Sequence, residues 1–282
     1  MELDLKEVTR KFKSPMQIGT HSLNEKYFLE GQIDGLDFEL SVLPGLHVES
    51  FEQAKNQLDS YLNSSISKDE LYPSVRFAIE SWQNLKSKRY LIPERVEQNA
   101  LLLSPDLKEL ESLRSLGFSS FKVKIARLES ANDIKKFVEA LLPSEKVRLD
   151  GNQKMTPQSL NTVLEALSPY WSKIDYIEEP FSDPNETLNW QHPVPLAIDE
   201  TLPFFLKHSL PKHIKNIVLK PALFGFDQSV NIIKSMNDGG VDVTLSSCFE
   251  GPIGLAAIFA LAHLQNTHQP NPAGLDTLKY FI

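Results

Sequence analysis

The chain contains a single cysteine, Cys248, so no disulfide can form within it. It also lacks a basic excess, because 29 lysines and arginines stand against 37 aspartates and glutamates, giving a net charge of −8. Surfaces that bind nucleic acids are strongly basic, so this balance argues against a nucleic-acid partner. The low cysteine content favours a reducing compartment, and we expect the protein to be cytoplasmic.

No apolar run approaches the roughly 20 residues that a membrane-spanning helix needs, so we expect no membrane association. The segment Met1–Arg10 alternates acidic and apolar residues without a basic start or an apolar stretch, and we expect no signal peptide. The glycine-rich G-x-G-x-x-G and P-loop patterns are absent, and the seven histidines show no H-E-x-x-H spacing. These absences argue against nucleotide-binding proteins and zinc hydrolases of those types.

Residues 1–94 are predicted to form a small α+β domain. Tyr27–Val42 shows strand-like alternation interrupted at Gly31 and Gly35, which is typical of a hairpin or meander. Ser50 then matches a capping-box pattern at the start of an amphipathic helix.

The rest of the chain alternates between predicted strands and predicted helices, at intervals of roughly 20 to 30 residues, as in a parallel barrel. Ser104–Pro105 and Thr156–Pro157 each match the cap and first residue of a helix. Such alternation predicts a parallel sheet covered by helices, and 282 residues suffice for one barrel plus an appendage. We assign residues 95–270 to the barrel and 271–282 to a carboxyl-terminal tail.

Charged side chains stand at the predicted ends of successive strands. They are Lys122, Lys124, Asp150, Glu178, Asp199 and Lys220. Because the carboxyl ends of parallel barrel strands form one face, these groups should converge there. Three converging carboxylates would repel one another, and a hard divalent cation with oxygen ligands, most often Mg²⁺, would relieve the repulsion. The alternative is that each acid lies in an exposed loop and faces solvent.

The lysines suit the removal of a proton next to a carboxylate. That step makes an enolate, whose charge a metal ion and cationic side chains can stabilise. A lysine can act as the base if a second cation and the metal lower its pKa. Lys122 and Lys124 point to the same side of a strand, and Lys124 and Lys220 could approach the reacting carbon from opposite sides of the metal.

Five short motifs occur in order at βα spacing. They are F-K-V-K-I (Phe121–Ile125), R-L-D-G-N (Arg148–Asn152), I-E-E-P (Ile177–Pro180), I-D-E-T (Ile198–Thr201) and L-K-P (Leu219–Pro221). This ordered set resembles the signature of the enolase superfamily, in particular its muconate-lactonizing branch. The resemblance implies an α/β fold, a (β/α)7β modified TIM barrel with a small N-terminal α+β capping domain.

Three further segments narrow the resemblance. Pro44–Ser50, Ser246–Leu255 and Gly274–Leu278 are similar to the corresponding parts of the o-succinylbenzoate synthases. That family dehydrates 2-succinyl-6-hydroxy-2,4-cyclohexadiene-1-carboxylate to o-succinylbenzoate in menaquinone synthesis, so the resemblance implies a small-molecule carboxylate substrate. It also implies that an early loop of the capping domain, here Met16–Phe28, closes over the substrate.

The resemblance implies roles for the charged residues. Asp150, Glu178 and Asp199 match the metal ligands for Mg²⁺, which Mn²⁺ can replace. Glu178 is chosen over Glu179 because relatives can carry glutamine at the second position. By the same resemblance, Lys124 is the base that also protonates the departing hydroxyl, Lys122 is a helper beside the substrate carboxylate, and Lys220 is the cation on the opposite face. Asn152 and Glu200 match residues that support the metal and a lysine. Ser246 and Ser247 match neighbours of the substrate.

Other functions remain open. An N-succinylamino-acid racemase or a dipeptide epimerase would also need two lysines, although an epimerase would typically carry an acidic D-x-D-like pair near the S-S-C-F-E-G-P-I-G segment. A Schiff-base aldolase using Lys220 would not need three carboxylates. A non-catalytic barrel that only binds a ligand would not need the intact charged set. Cys248 is expected to be a buried small apolar residue rather than a nucleophile.

Overall fold

A computed structural model describes residues 2–126, 130–208 and 210–282. Contacts divide the chain into two compact units. The first contains Met1–Val96, Leu219–Met236 and Leu245–Ile282, and the second contains Glu97–Val218 and Asn237–Thr244.

The first unit opens with an antiparallel meander of β1 (Leu3–Ile18), β2 (His21–Ile33) and β3 (Leu36–Ser41). The meander predicted from Tyr27–Val42 is therefore confirmed. The expectation that Met16–Phe28 forms a loop is wrong, because these residues lie in β1 and β2 on either side of a two-residue turn. Apolar residues recur in this segment at strand spacing, and they pair across the ladder instead of standing free.

Gly31 does not interrupt its strand, contrary to the prediction. It lies inside β2 with a φ of 149°, and a Cβ atom there would be 1.9 Å from the Asp4 carbonyl oxygen of β1. Glycine is required because the neighbouring backbone approaches so closely. The chain reverses at Asp34 and Gly35, whose φ angles of 50° and 74° lie in the left-handed region.

Two helices cover β3, namely α1 (Phe51–Leu62) and α2 (Pro73–Ser87). The predicted capping box is confirmed: Ser50 Oγ accepts from the Gln53 amide at 3.2 Å, and Gln53 Oε1 accepts from the Ser50 amide at 2.8 Å. The apolar faces of α1 and α2 pack on the sheet, and the buried core there consists of Ile33, Phe38, Leu40, Val42, Ala54, Leu58, Leu71, Val75, Ala78 and Ile79.

The carboxyl-terminal tail of the first unit joins the edge strand β1. Phe281 forms an antiparallel bridge with Phe12, and the Ile282 amide donates to the Lys11 carbonyl at 3.0 Å. The rings of Phe12 and Phe281 stack with their centroids 4.7 Å apart, and Phe28 packs with them. The tail thus supplies backbone and aromatic partners to a strand that otherwise has a neighbour on one side.

Seven parallel strands form the second sheet, and their spatial order follows the chain. They are β4 (Ala100–Leu102), β5 (Ser120–Lys124), β6 (Lys146–Asp150), β7 (Ile174–Glu178), β8 (Leu196–Ile198), β9 (Ile214–Leu219) and β10 (Asp242–Leu245). A parallel bridge between Ser246 and Gly274 follows in place of an eighth strand. The predicted (β/α)7β order is therefore confirmed, with its last strand reduced to a bridge.

One helix follows each parallel strand. They are α3 (Leu107–Ser115), α4 (Ala131–Ala140), α5 (Pro157–Ala166), α6 (Pro184–Asn189), α7 (Leu202–Lys207), α8 (Phe226–Asp238) and α9 (Pro252–Asn266). Within the described ranges, no helix combines the length and the apolar character that crossing a bilayer requires.

The two predicted helix starts have different outcomes. Thr156 caps α5 and Pro157 is its first residue, as predicted. The assignment of Ser104–Pro105 to the start of α3 is wrong, because α3 begins at Leu107. Asp106 is the cap there, since its carboxylate accepts from two successive backbone amides at 2.7 and 3.1 Å and so satisfies two free donors of the first turn.

Candidate active site

The parallel register places the predicted site residues at the carboxyl ends of successive strands. Lys124, Asp150 and Glu178 are the last residues of β5, β6 and β7, and they lie side by side in the ladder. Asp199 comes directly after β8, and Lys220 directly after β9. Lys124, Asp150, Glu178 and Asp199, all in the second compact unit, therefore lie along the carboxyl edge of the sheet, where parallel α/β barrels carry their active sites.

Two of the carboxylates are almost completely buried, with Asp150 and Glu178 each 1% exposed. Burial is the main cause that raises the pKa of Glu178 to about 8, and the negative charges of Asp150 and Asp199 add to the rise while Lys122 opposes it. Burial would also raise the pKa of Asp150, but Lys122 and Lys124 overcome it and leave that pKa below its usual value. The three acids thus act on one another electrostatically, as predicted.

Lys122 lies between two of the acids. Its Nζ is 2.9 Å from Asp150 Oδ2 and 2.5 Å from Glu178 Oε1. Burial favours the neutral amine, but the attraction of Asp150, Glu178 and Asp199 outweighs it, and the pKa of Lys122 is raised well above the usual value. The contacts with these carboxylates therefore favour the protonated form of Lys122.

Lys124, on the same strand, has the opposite electrostatic environment. Its Nζ donates to Asn152 Oδ1 at 2.8 Å. Burial lowers the pKa of Lys124 and the positive charge of Lys122 lowers it further, while Asp150, Glu178 and the exposed Glu200 oppose the shift. Since a lysine needs a lowered pKa to serve as a base, the two lysines of β5 are suited to different tasks.

The turn after β6 explains the D-G-N motif. A Cβ atom on Gly151 would lie 2.5 Å from the Pro180 Cα, so only glycine fits this position. Asn152 then adopts a left-handed φ of 44°, and its backbone N–H donates to Asp150 Oδ1 at 3.0 Å. The turn therefore orients the Asp150 carboxylate and presents the Asn152 side chain to Lys124.

The carboxylate of Glu179, the second acid of the E-E pair, accepts hydrogen bonds from the segment that follows β8. Its Oε2 accepts from the amides of Asp199 and Thr201 at 2.6 and 3.2 Å, and its Oε1 accepts from Thr201 Oγ1 at 2.8 Å. Burial raises the pKa of Glu179 to about 7. Sequence reasoning missed its role in holding the backbone of Asp199. The E-E pair was the available signal, since adjacent strand residues face opposite sides.

Lys220, Ser246 and Ser247 belong to the first compact unit. The Ser246 amide donates to the carbonyl of Leu219 at 2.9 Å. Ser247 Oγ shares a hydrogen bond of 2.9 Å with Thr277 Oγ1. The S-S-C-F-E-G-P and G-L-D-T motifs, which are distant in the sequence, are therefore joined through their hydroxyl groups.

The three acids offer oxygen donors for a divalent cation. Among the described residues, no three acidic, histidine or cysteine side chains are already arranged around a common point. The ammonium of Lys122 lies against both Asp150 and Glu178. The donors nevertheless fit a hard cation: they are carboxylate oxygens, two of the groups are buried, and burial raises the pKa of Glu178 with a further rise from the neighbouring negative charges.

Comparison with known proteins places the chain in a family. A family model described as enolase C-terminal domain-like matches residues 106–271. An o-succinylbenzoate synthase from Pasteurella multocida is 30% identical over 263 residues, which is 85% of this chain and 77% of that protein. The o-succinylbenzoate synthase of Aliivibrio fischeri strain ES114 is also 30% identical, over 260 residues that make up 86% of this chain and 78% of the relative.

Solved structures show the same fold. An o-succinylbenzoate synthase from Thermosynechococcus elongatus BP-1, solved with Mg in the active site, has a TM-score of 0.77 at 21% identity and covers 99% of this chain and 93% of its own. The L-Ala-D/L-Glu epimerase from Bacillus subtilis has a TM-score of 0.79 at 14% identity, over 99% and 90% of the two chains. The fold therefore does not distinguish a synthase from an epimerase, whereas the two sequence relatives named above are both o-succinylbenzoate synthases. On the family model and these relatives together, the chain belongs to the o-succinylbenzoate synthase family of the enolase superfamily.

Proposed function

We propose that this protein is an o-succinylbenzoate synthase, acting in the cytoplasm on 2-succinyl-6-hydroxy-2,4-cyclohexadiene-1-carboxylate in menaquinone synthesis. One observation carries the proposal beyond family membership: the two lysines of β5 have different partners, since Lys122 lies against the carboxylates of Asp150 and Glu178 while Lys124 donates to the side-chain amide of Asn152. A lysine whose burial lowers its pKa, next to a second lysine and buried carboxylates, suits abstraction of a proton beside a carboxylate.

Asp150, Glu178 and Asp199 would hold the metal ion, Mg²⁺ or in its place Mn²⁺. When bound, the ion would stabilise the negative charge that develops on the substrate carboxylate. Glu179 contributes by fixing the backbone of Asp199 through two hydrogen bonds from amides. Lys122 adds a positive charge beside the substrate carboxylate without entering the proton transfer.

Lys124, as the neutral amine, takes the proton from the carbon next to the carboxylate. The electrons of that C–H bond move towards the carboxylate, and they then form the new ring double bond as the C–O bond to the hydroxyl breaks. The proton held by Lys124 passes to the departing hydroxyl, which leaves as water, and Lys124 returns to its neutral form. Asn152 orients the amine through its hydrogen bond, and Lys220 supplies positive charge for the enolate.

The test compares lysine-to-arginine variants under saturating Mg²⁺. Lys124→Arg should lower the dehydration rate by more than about 10⁴-fold, because a guanidinium does not accept a proton at working pH. Lys220→Arg keeps a cation and should retain dehydration. Lys215→Arg, at an exposed position of β9, is the matched control and should behave as wild type.

The same variants separate the synthase from a racemase. A racemase needs an acid and a base on the two lysines, so Lys220→Arg would lose racemisation of an N-succinylated amino acid, measured by the change in optical rotation. Lys124 would still exchange the α-proton of one enantiomer with deuterated solvent. Absence of dehydration by the wild-type protein with Mg²⁺, or normal dehydration by Lys124→Arg, would contradict the proposed function.

A further inference from the structure

Lys26, on β2, is a fully buried lysine that the proposed reaction does not use. It is 1% exposed, and its ammonium has three acceptors: Ser41 Oγ at 3.0 Å, the Cys248 carbonyl at 2.7 Å and the Phe249 carbonyl at 2.8 Å. These three bonds use all three N–H groups of an ammonium. Since the desolvation of a buried charge is costly, such a group persists where its partners are well placed.

Two of the three acceptors are successive carbonyl groups. Both can point at one ammonium because Phe249 adopts a left-handed φ of 57°, which is unfavourable for a residue with a side chain. Cys248 and Phe249 follow Ser247 directly, and the Phe249 amide lies 3.4 Å from Ser247 Oγ. The ammonium of Lys26 therefore holds a strained backbone immediately after the two serines.

Buried acids hold the other side of this segment. Glu250 Oε2 accepts from the Cys248 amide at 2.8 Å, and Glu39 accepts from the amides of Gly251 and Gly254 at 2.7 and 3.0 Å. Burial lowers the pKa of Lys26, while Glu250 and Glu39 are among the groups that oppose this shift. The segment between β10 and α9 is thus fixed by one buried cation and two buried carboxyl groups.

We propose that Lys26 is a positioning residue that fixes the Ser246–Phe249 segment in the conformation that recognises the substrate. The role of Ser246 and Ser247 beside the substrate rests on the proposed function. The positioning itself rests on the three hydrogen bonds and on the left-handed Phe249. It links a residue of the amino-terminal meander to substrate binding without contact between Lys26 and substrate.

Cys248 allows a direct test, because it is the single cysteine of the chain and is buried within this segment. In Lys26→Met, the native-state rate of Cys248 modification by a thiol reagent should rise about ten- to a hundredfold, the equivalent of one lost hydrogen bond to a charged group. Lys55→Met is the matched control. It removes a lysine of α1 that pairs with Glu7 and Glu52, and its labelling rate should equal that of wild type.

Kinetics then test the consequence for the reaction. Lys26→Met should raise the KM for the cyclohexadiene carboxylate by about tenfold or more, whereas the Mg²⁺ concentration for half-maximal activity should stay that of wild type. A folded Lys26→Met with wild-type labelling rate and KM would overturn the proposal. Faster labelling in a protein whose wild type does not turn over this substrate would leave the positioning intact and reject the proposed function instead.

A milder variant covers the case in which Lys26→Met does not fold. Ser41→Ala keeps the ammonium and both carbonyl contacts but removes one of the three acceptors. It should produce a smaller rise in labelling rate and in KM, in the same direction as Lys26→Met. An unchanged labelling rate together with an unchanged KM in this variant would count against the positioning role.

Discussion

Glu39 offers a quantitative test of the buried network, through the variant Glu39→Gln. Glu39 lies on β3, and its carboxylate accepts from the amides of Gly251 and Gly254 at the start of α9. Burial raises the pKa of Glu39 from 4.5 to about 7, Glu30 adds to the rise, and Lys26 and the two amides oppose it. Glutamine has nearly the same shape and stays neutral at every pH.

The raised pKa fixes the sign and the size of the effect. Below pH 4.5 the carboxyl group is protonated in both the folded and unfolded states, so its stabilising contribution is fully present. As the pH rises through 4.5 and on to about 7, the unfolded state loses its proton first, and the wild-type protein loses stability. A shift from 4.5 to about 7 corresponds to about 3 kcal/mol, which needs no correction for solvent because the residue is buried.

The assay is urea unfolding of both proteins, followed by circular dichroism between about pH 4 and pH 8. The free energy of unfolding of Glu39→Gln, relative to wild type, should increase by about 3 kcal/mol across this range. The glutamine amide also faces one backbone N–H group, which lowers stability by an amount that does not depend on pH. A difference between Glu39→Gln and wild type that is independent of pH would refute the reasoning.

Two further predictions concern the backbone and the metal. Gly31→Ala should lower the free energy of unfolding, measured with denaturant, by about 3 kcal/mol or more, because the new Cβ would meet the Asp4 carbonyl. Gly35→Ala has open space around it and should lower the free energy of unfolding by about 1 kcal/mol. Comparable values for the two variants would contradict the close approach. Mg²⁺ should raise the melting temperature of the wild type but not that of Asp150→Asn, and an equal rise in both would exclude Asp150 as a ligand.

The sequence was sufficient for the barrel and for the residues along its carboxyl edge. Strand alternation, turn residues and the capping signals at Ser50 and Thr156 are local properties, and local energetics determined the outcome there. The charged residues of β5 to β7 could be grouped because a parallel ladder brings strand ends together.

The remaining features depend on contacts that are distant in the sequence. From the sequence alone, Lys26 would be taken for an exposed strand residue. Its hydrogen bonds to the carbonyls of Cys248 and Phe249 could not be predicted, because these residues are 222 and 223 positions away in the sequence. The expectation of a loop at Met16–Phe28 was wrong for a related reason. These residues pair across the β1–β2 hairpin, and that pairing joins residues that are not adjacent in the sequence. The direction of Glu179 follows from its place next to Glu178, but its partners, the amides of Asp199 and Thr201, are 20 and 22 residues away in the sequence and could not be assigned from it.

The bridge between Phe281 and Phe12 has a consequence for synthesis. A ribosome releases β1 early and the tail that pairs with it much later, after all seven parallel strands have emerged. During that interval the edge of β1 lacks its backbone partner and the ring of Phe12 lacks its stacking partner Phe281, so the nascent meander presents an open strand to other chains. A chaperone that binds extended apolar segments would have a target there, and a chain released before residue 281 would keep that target exposed.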